Sequence, residues 1–222
     1  MKKISIIILV LAIIIGGAYY YLTKPVASPS EPKEINYESA DGMITYAISP
    51  EESEASFAID EILNGKDFTA VGITKDIKGS ILVNLADISK IQVKDVSVNA
   101  RTLKTDSKNR DGAIARLILK SEDAQNEFIT FVPKSITGLP EAVVFESEVS
   151  FSITGDLTVS GVTKEVTFSG KIKELNAEKL VAEAETIVKR SDFNLVVPDL
   201  AFLASVDDEV KLKLSITAKP VN

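Results

Sequence analysis

Histidine, cysteine and tryptophan are all missing from the 222 residues. Without histidine there is no Ser-His-Asp triad, no imidazole ligand for a metal or haem, and no side chain that titrates unaided near neutrality. The absence of cysteine removes thiol nucleophiles, disulfides and the lipid-bearing cysteine of a lipoprotein. Positive charge is also short, with 25 Lys and Arg against 32 Asp and Glu, a formal charge of −7 and a pI near 4.9. Such a surface disfavours phosphate, so nucleic acid is excluded as a partner. The chemistry left is that of carboxylates and lysines. The densest acidic runs, Glu51-Glu52-Ser53-Glu54 and Asp207-Asp208-Glu209, lack the spacing of a calcium loop and read as solvated turns. Gly155, Gly161 and Gly170 are too scattered for a phosphate loop. No metal site and no cofactor is expected.

What the chain does have is one long hydrophobic run and then many short ones. Met1-Lys2-Lys3 precedes an uncharged stretch from Ile4 to Leu22, close to the roughly 20 residues that cross a bilayer as a helix. Tyr19-Tyr20-Tyr21 and Lys24 resemble an interfacial belt, and the two leading lysines place the amino terminus in the cytoplasm. A cleaved signal peptide is the alternative, but the run is long for one and Ala27-Ser28 is crowded by Pro25 and Pro29. The expected organisation is a signal anchor over 1–23, a flexible linker over 24–41 and an extracytoplasmic domain over 42–222, periplasmic or at the cell surface. The domain is large enough to bury a core without disulfides.

Within the domain, apolar residues alternate with polar ones. Val143, Phe145, Val149, Phe151, Ile153, Leu157 and Val159 share odd parity; after Ser160-Gly161 the apolar set moves to Val162, Val166, Phe168 and Ile172. A two-residue turn explains the switch. The register then sets Gly155 against Val166, Ile153 against Phe168, Phe151 against Gly170 and Glu148 against Lys173. Asp156 against Glu165 is its one unfavourable pair. Leu180, Ala182, Ala184, Thr186 and Val188 make another such strand, and Val210, Leu212, Leu214 and Ile216 the last. Earlier strands carry Phe57 and Phe68, Ile91–Leu103 breaks parity between Val93 and Val96, and the spacing predicts one short helix over Gly112–Leu119.

About eight strands with one wet face each call for an antiparallel sandwich or barrel. Gly155, Gly170, Ala182 and Ala184 share their inner face with Phe145, Phe151 and Phe168, a mixture that suits a barrel with a mouth for one elongated ligand, while small residues also mark close sheet packing. The expected apolar lining also takes in Phe57, Phe68, Val149, Ile153, Leu157, Val166, Ile172, Leu180, Phe193, Leu212 and Leu214. Arg110-Asp111, and Arg190 with Asp192, are each either a buried ion pair closing one end of the barrel or loop surface. Two rivals remain: a non-catalytic structural or adhesion module with a filled core on a membrane tether, and an enzyme needing two inward carboxylates, which the alternation mostly turns outward.

Gly155-Asp-Leu-Thr-Val-Ser-Gly-Val-Thr-Lys164, followed by Glu-Val-Thr-Phe168, closely resembles the signature of the YceI-like family. The resemblance extends to Ser53, Phe57, Thr105, Asn109-Arg110-Asp111, Phe128-Ile-Thr-Phe131 and Arg190-Ser-Asp-Phe193. It departs at Glu52 and Ala113, where the family often has histidine, and at Asn194, where it usually has glycine. The resemblance implies an exported all-β, antiparallel up-and-down lipocalin-like barrel of about eight strands that encloses a polyisoprenoid or related long-chain amphiphile, with no defining catalytic activity. Self-association as a homodimer is left open.

Overall fold

The computed structural model describes residues 16–17, 19–21, 23–30, 42–141, 148–198 and 203–221. Val143 and Phe145 lie outside them, as does most of the run expected to cross a membrane. Among the described residues no helix is long and apolar enough to do so.

Among the described residues twelve strands form one antiparallel sheet: β1 (Ile44–Ile48), β2 (Glu54–Leu63), β3 (Lys66–Thr74), β4 (Ile77–Lys78), β5 (Ser80–Val83), β6 (Gln92–Val93), β7 (Val96–Asn99), β8 (Phe128–Thr137), β9 (Val149–Val159), β10 (Val162–Leu175), β11 (Leu180–Lys189) and β12 (Leu203–Pro220). Breaks at 49–53, 75–76, Gly79 and 94–95 separate strands that otherwise run on, leaving eight runs in up-and-down order. The sheet curls, because its hydrogen-bonded path begins at β4 and ends at β5 and β6, while β4 and β5 are neighbours in the chain. β12 is long enough to pair with both β1 and β2 on one edge. Ser53 bridges the break between those two, its hydroxyl donating to the Thr217 carbonyl and accepting from the Thr217 amide.

The β9–β10 pairing follows the register read from the alternation, with Val159 opposite Val162 and Val149 opposite Ile172. Ser160 and Gly161 have φ of 49° and 77°, the doubly positive turn that matches strand twist. Asp156 does face Glu165, and Lys134 of β8 relieves the repulsion, its Nζ lying 2.6 Å from one carboxylate and 2.9 Å from the other. One cross-strand ion pair differs from expectation: Glu148 pairs with Lys171, while Lys173 reaches Glu183 on β11.

The helix also differs. It begins earlier, as α1 (Lys108–Ala113) capped by the Ser107 side chain, and continues into a wider π turn over Ile114–Ile118. The expectation missed it because the Ile114 and Leu117 spacing marks only the half that packs against the sheet.

Turns alternate between the two ends. The helical excursion, Asn64-Gly65, Ser160-Gly161 and the β11–β12 loop share one end; the β5–β6, β8–β9 and β10–β11 connections share the other. The second end is plugged by Tyr46, Val83, Ile88, Ile172, Leu175 and Leu180. Tyr46 is fully buried there, its hydroxyl donating to the Asn176 carbonyl at 2.6 Å.

Candidate functional site

The inward face of the sheet is largely apolar but unevenly sealed. Ile153, Leu157, Phe168, Ile172, Leu180 and Phe193 are buried, held among neighbours in the two hydrophobic clusters. Phe57, Val149, Phe151, Val166, Ala182, Ala184, Leu212 and Leu214 pack against those clusters yet keep part of their surface accessible. The accessible set sits chiefly on neighbouring strands, Ala184 opposite both Gly170 and Leu214, and Leu212 opposite both Thr186 and Phe57. Side chains that point toward a core and stay partly accessible line space that their neighbours do not fill. Phe145 lies outside the described residues.

The glycines do not contribute that space; of the two meanings their small size allowed, close packing is the one that holds. Aromatic rings lie across them: a β-carbon at Gly72 would fall 2.1 Å from the Phe57 ring, one at Gly155 2.8 Å from the Phe131 ring, and one at Gly170 2.4 Å from the Phe151 ring. Phe131 and Phe168 meet edge to face with centroids 5.2 Å apart. What remains accessible is the wall of alanine, valine and leucine on β10, β11 and β12, flanked by Phe57 of β2.

On the inward face, among the described residues, charge gathers at the rim of the helical end. Glu61 points inward at the end of β2, with its side chain 8% exposed, and accepts a 2.9 Å bond from Arg110 Nη2. The same guanidinium lies 5.0 Å from the Phe68 ring centroid and pairs with Asp106. Phe68 is thus placed at this rim, its ring under a cation. Arg110 is a largely buried ion pair closing one end, and its partner is Glu61 rather than Asp111. Asp111 instead accepts from the Thr105 amide and hydroxyl, at 2.7 and 2.8 Å, and pins the loop ahead of α1. Arg190 donates to the Asp207 and Leu195 carbonyls, so it ties loops together and does not pair with Asp192. Asn194 takes φ of 56°, the left-handed conformation for which glycine is the usual residue and asparagine a tolerated one.

Two features were not foreseen. A concavity of about 710 Å³ opens on the outer face of β8 to β12, lined mostly by polar residues including Ser150, Ser152, Ser169, Lys171 and Glu183, with Phe151, Gly170 and Ala184 also bordering it. Its polar lining comes from the outward positions of the same alternation. The second is a polar knot at the helical end, where Arg101 and Glu127 pair at 3.0 Å with side chains 8% and 3% exposed.

Burial works against the Glu127 carboxylate. The Ser30 hydroxyl and amide, the Arg101 guanidinium and the Asn99 amide outweigh it and hold the carboxyl below its ordinary value. Because the folded value is the lower one, the stabilisation is complete above the unfolded pKa of about 4.3 and is lost as pH falls through the folded pKa. Glu127→Gln is therefore expected to lower the melting temperature at neutral pH and to flatten its decline on acidification. Thermal melts across that range check this; an unchanged acid slope would show that Glu127 carries no share of it.

A family model described as YceI-like domain matches residues 46–218. No curated protein matches the chain. Among solved structures, a polyisoprenoid binding domain from Saccharophagus degradans, implicated in plant cell wall breakdown, aligns with a TM-score of 0.63 at 12% identity, covering 80% of this chain and 99% of that one. BcnA from Burkholderia cenocepacia aligns with a TM-score of 0.60 at 18% identity, over 78% and 99% of the two chains. The YceI protein of Campylobacter jejuni gives 0.56 at 21% identity, over 68% and 85%. At these identities the structures establish a shared fold.

Proposed function

Because the chain belongs to the YceI-like domain family, we propose that it is a membrane-anchored, extracytoplasmic binding protein that takes a polyisoprenoid or similar long-chain amphiphile into a lipocalin-like barrel. The observation that carries the reading is the partly accessible inward wall, above all Ala184, Leu212 and Leu214. A ligand gains there from burial, at about 25 cal/mol per Å² before the costs of association. The polyisoprenoid binding domain that shares its fold supports the ligand class. The uncharged run from Ile4 to Leu22 behind two lysines supports the anchor and its orientation.

The phenylalanine rings over Gly155 and Gly170 favour a second reading, a filled structural or adhesion module on the same tether. A titration with an environment-sensitive apolar fluorophore separates the two. The binding reading expects saturable enhancement that a long-chain prenol displaces competitively. Enhancement that neither saturates nor yields to the prenol favours the filled module.

A further inference from the structure

The segment just before the domain, expected to be a flexible linker, makes specific contacts at Lys24, Ser28 and Ser30. The helical turn through Tyr19–Tyr21 ends with the Lys24 amide donating to the Tyr20 carbonyl. From there the chain runs against the polar knot at the helical end of the sheet. Arg116, whose side chain is fully buried, donates to the Lys24 carbonyl and to Glu122. Lys24 itself pairs with Glu122 at 3.2 Å. Arg101 Nη1 donates to the Ser28 carbonyl at 3.0 Å, while its other nitrogens reach the Ser121 and Glu122 carbonyls. Ser30 closes the set, its amide and hydroxyl donating to the two Glu127 oxygens at 2.6 and 2.5 Å.

Buried charge is costly to a fold unless each donor and acceptor is met. Here a strap outside the family domain meets part of that demand, mostly with backbone groups. Backbone carbonyls facing guanidinium forks, and a serine facing a carboxylate, make a complementary socket whose occupant is already in place.

We infer that Lys24–Ser30 is a docked strap, that Arg101, Arg116, Glu122 and Glu127 form its socket, and that the joint holds the domain in one orientation to the helix ending at Thr23. Where that helix spans a bilayer, the end carrying α1, Arg110 and Phe68 is the end held toward it. The orientation rests on the anchor reading above; the docking does not. Alkaline extraction of membranes tests the anchor separately.

The chain has no cysteine, so two introduced ones label cleanly. Tyr20→Cys and Lys164→Cys, both at exposed positions, carry nitroxides in the full-length protein in detergent, and pulsed dipolar spectroscopy reads their separation. A free segment over 24–41 would spread over roughly 20–25 Å. The docked strap gives one narrow distance, broadened toward that spread by Ser30→Pro, which removes both donors from the strap and leaves the socket intact, and more so when Glu127→Gln is added. A broad distribution in the otherwise unaltered chain, or a narrow one that survives both substitutions, overturns the inference.

Discussion

Gly155→Ala is expected to destabilise the domain by about 3 kcal/mol, at the upper end of what overpacking costs, and to lower its melting temperature by roughly 6–12 °C. The added methyl would sit 2.4 Å from the Val132 carbonyl oxygen and 2.9 Å from the Pro133 α-carbon, both backbone atoms of β8, and 2.8 Å from the Phe131 ring. A side chain could rotate away, but a paired strand must shift. β8 is already irregular in its pairing with β9 between Pro133 and Ser135, and moving it disturbs Phe131 and its edge contact with Phe168. Alanine ordinarily gains a few tenths of a kcal/mol by restricting the unfolded chain, far too little to offset this. Gly79→Ala is the matched control, because its nearest contacts, at 3.1 and 3.2 Å, are the ends of the Ile48 and Val96 side chains. Urea and thermal unfolding of the two variants side by side check the ordering; a Gly155→Ala melting point no lower than that of Gly79→Ala would contradict the close approach of β8 to β9.

This glycine also shows what could be read from the residues alone. Period-two alternation between Val149 and Ile172, together with Ser160-Gly161, carries the hairpin's register because a one-residue slip would turn every apolar side chain to water. The alternation left a sandwich and a barrel both open, and the up-and-down order came with the family resemblance. Asn64-Gly65 is as plain a hairpin signal, with φ of 52° and 74°, yet it lies beyond the parity pattern that drew attention elsewhere. Lys134 between Asp156 and Glu165 was out of reach, because it depends on which strand lies beside β9. The same holds for Arg110, whose partner Glu61 is far away in the chain; adjacency pointed to Asp111 instead. At Gly155 and Gly170 the absence of a side chain was visible, but whether that leaves a hollow or admits a ring depends on the neighbouring strand's phenylalanines. The docking of Lys24–Ser30 had no periodicity to reveal it, since it uses backbone carbonyls that every sequence has.

The second large effect concerns ligand capacity. Ala184 faces the interior between Gly170 and Leu214 and remains partly accessible. Ala184→Trp directs an indole into the proposed path. If the indole displaces about 100 Å² of ligand contact, the loss is about 2.5 kcal/mol, roughly 70-fold in affinity. Folding is expected to survive, because the surrounding wall of alanine and leucine is not sealed. Glu183→Trp, one residue earlier with its side chain turned outward into the 710 Å³ concavity that both residues border, is expected to leave binding of a long-chain prenol unchanged. The reverse result, loss with Glu183→Trp and none with Ala184→Trp, would move the site to the outer surface.

The interior is tested most directly by extracting lipid from the full-length protein purified out of a membrane extract, and from Ala184→Trp prepared in parallel, with mass spectrometry of both. The hollow-wall reading predicts one long-chain amphiphile per protein molecule from the parent and almost none from the variant. No such molecule from either, or equal amounts from both, would contradict it.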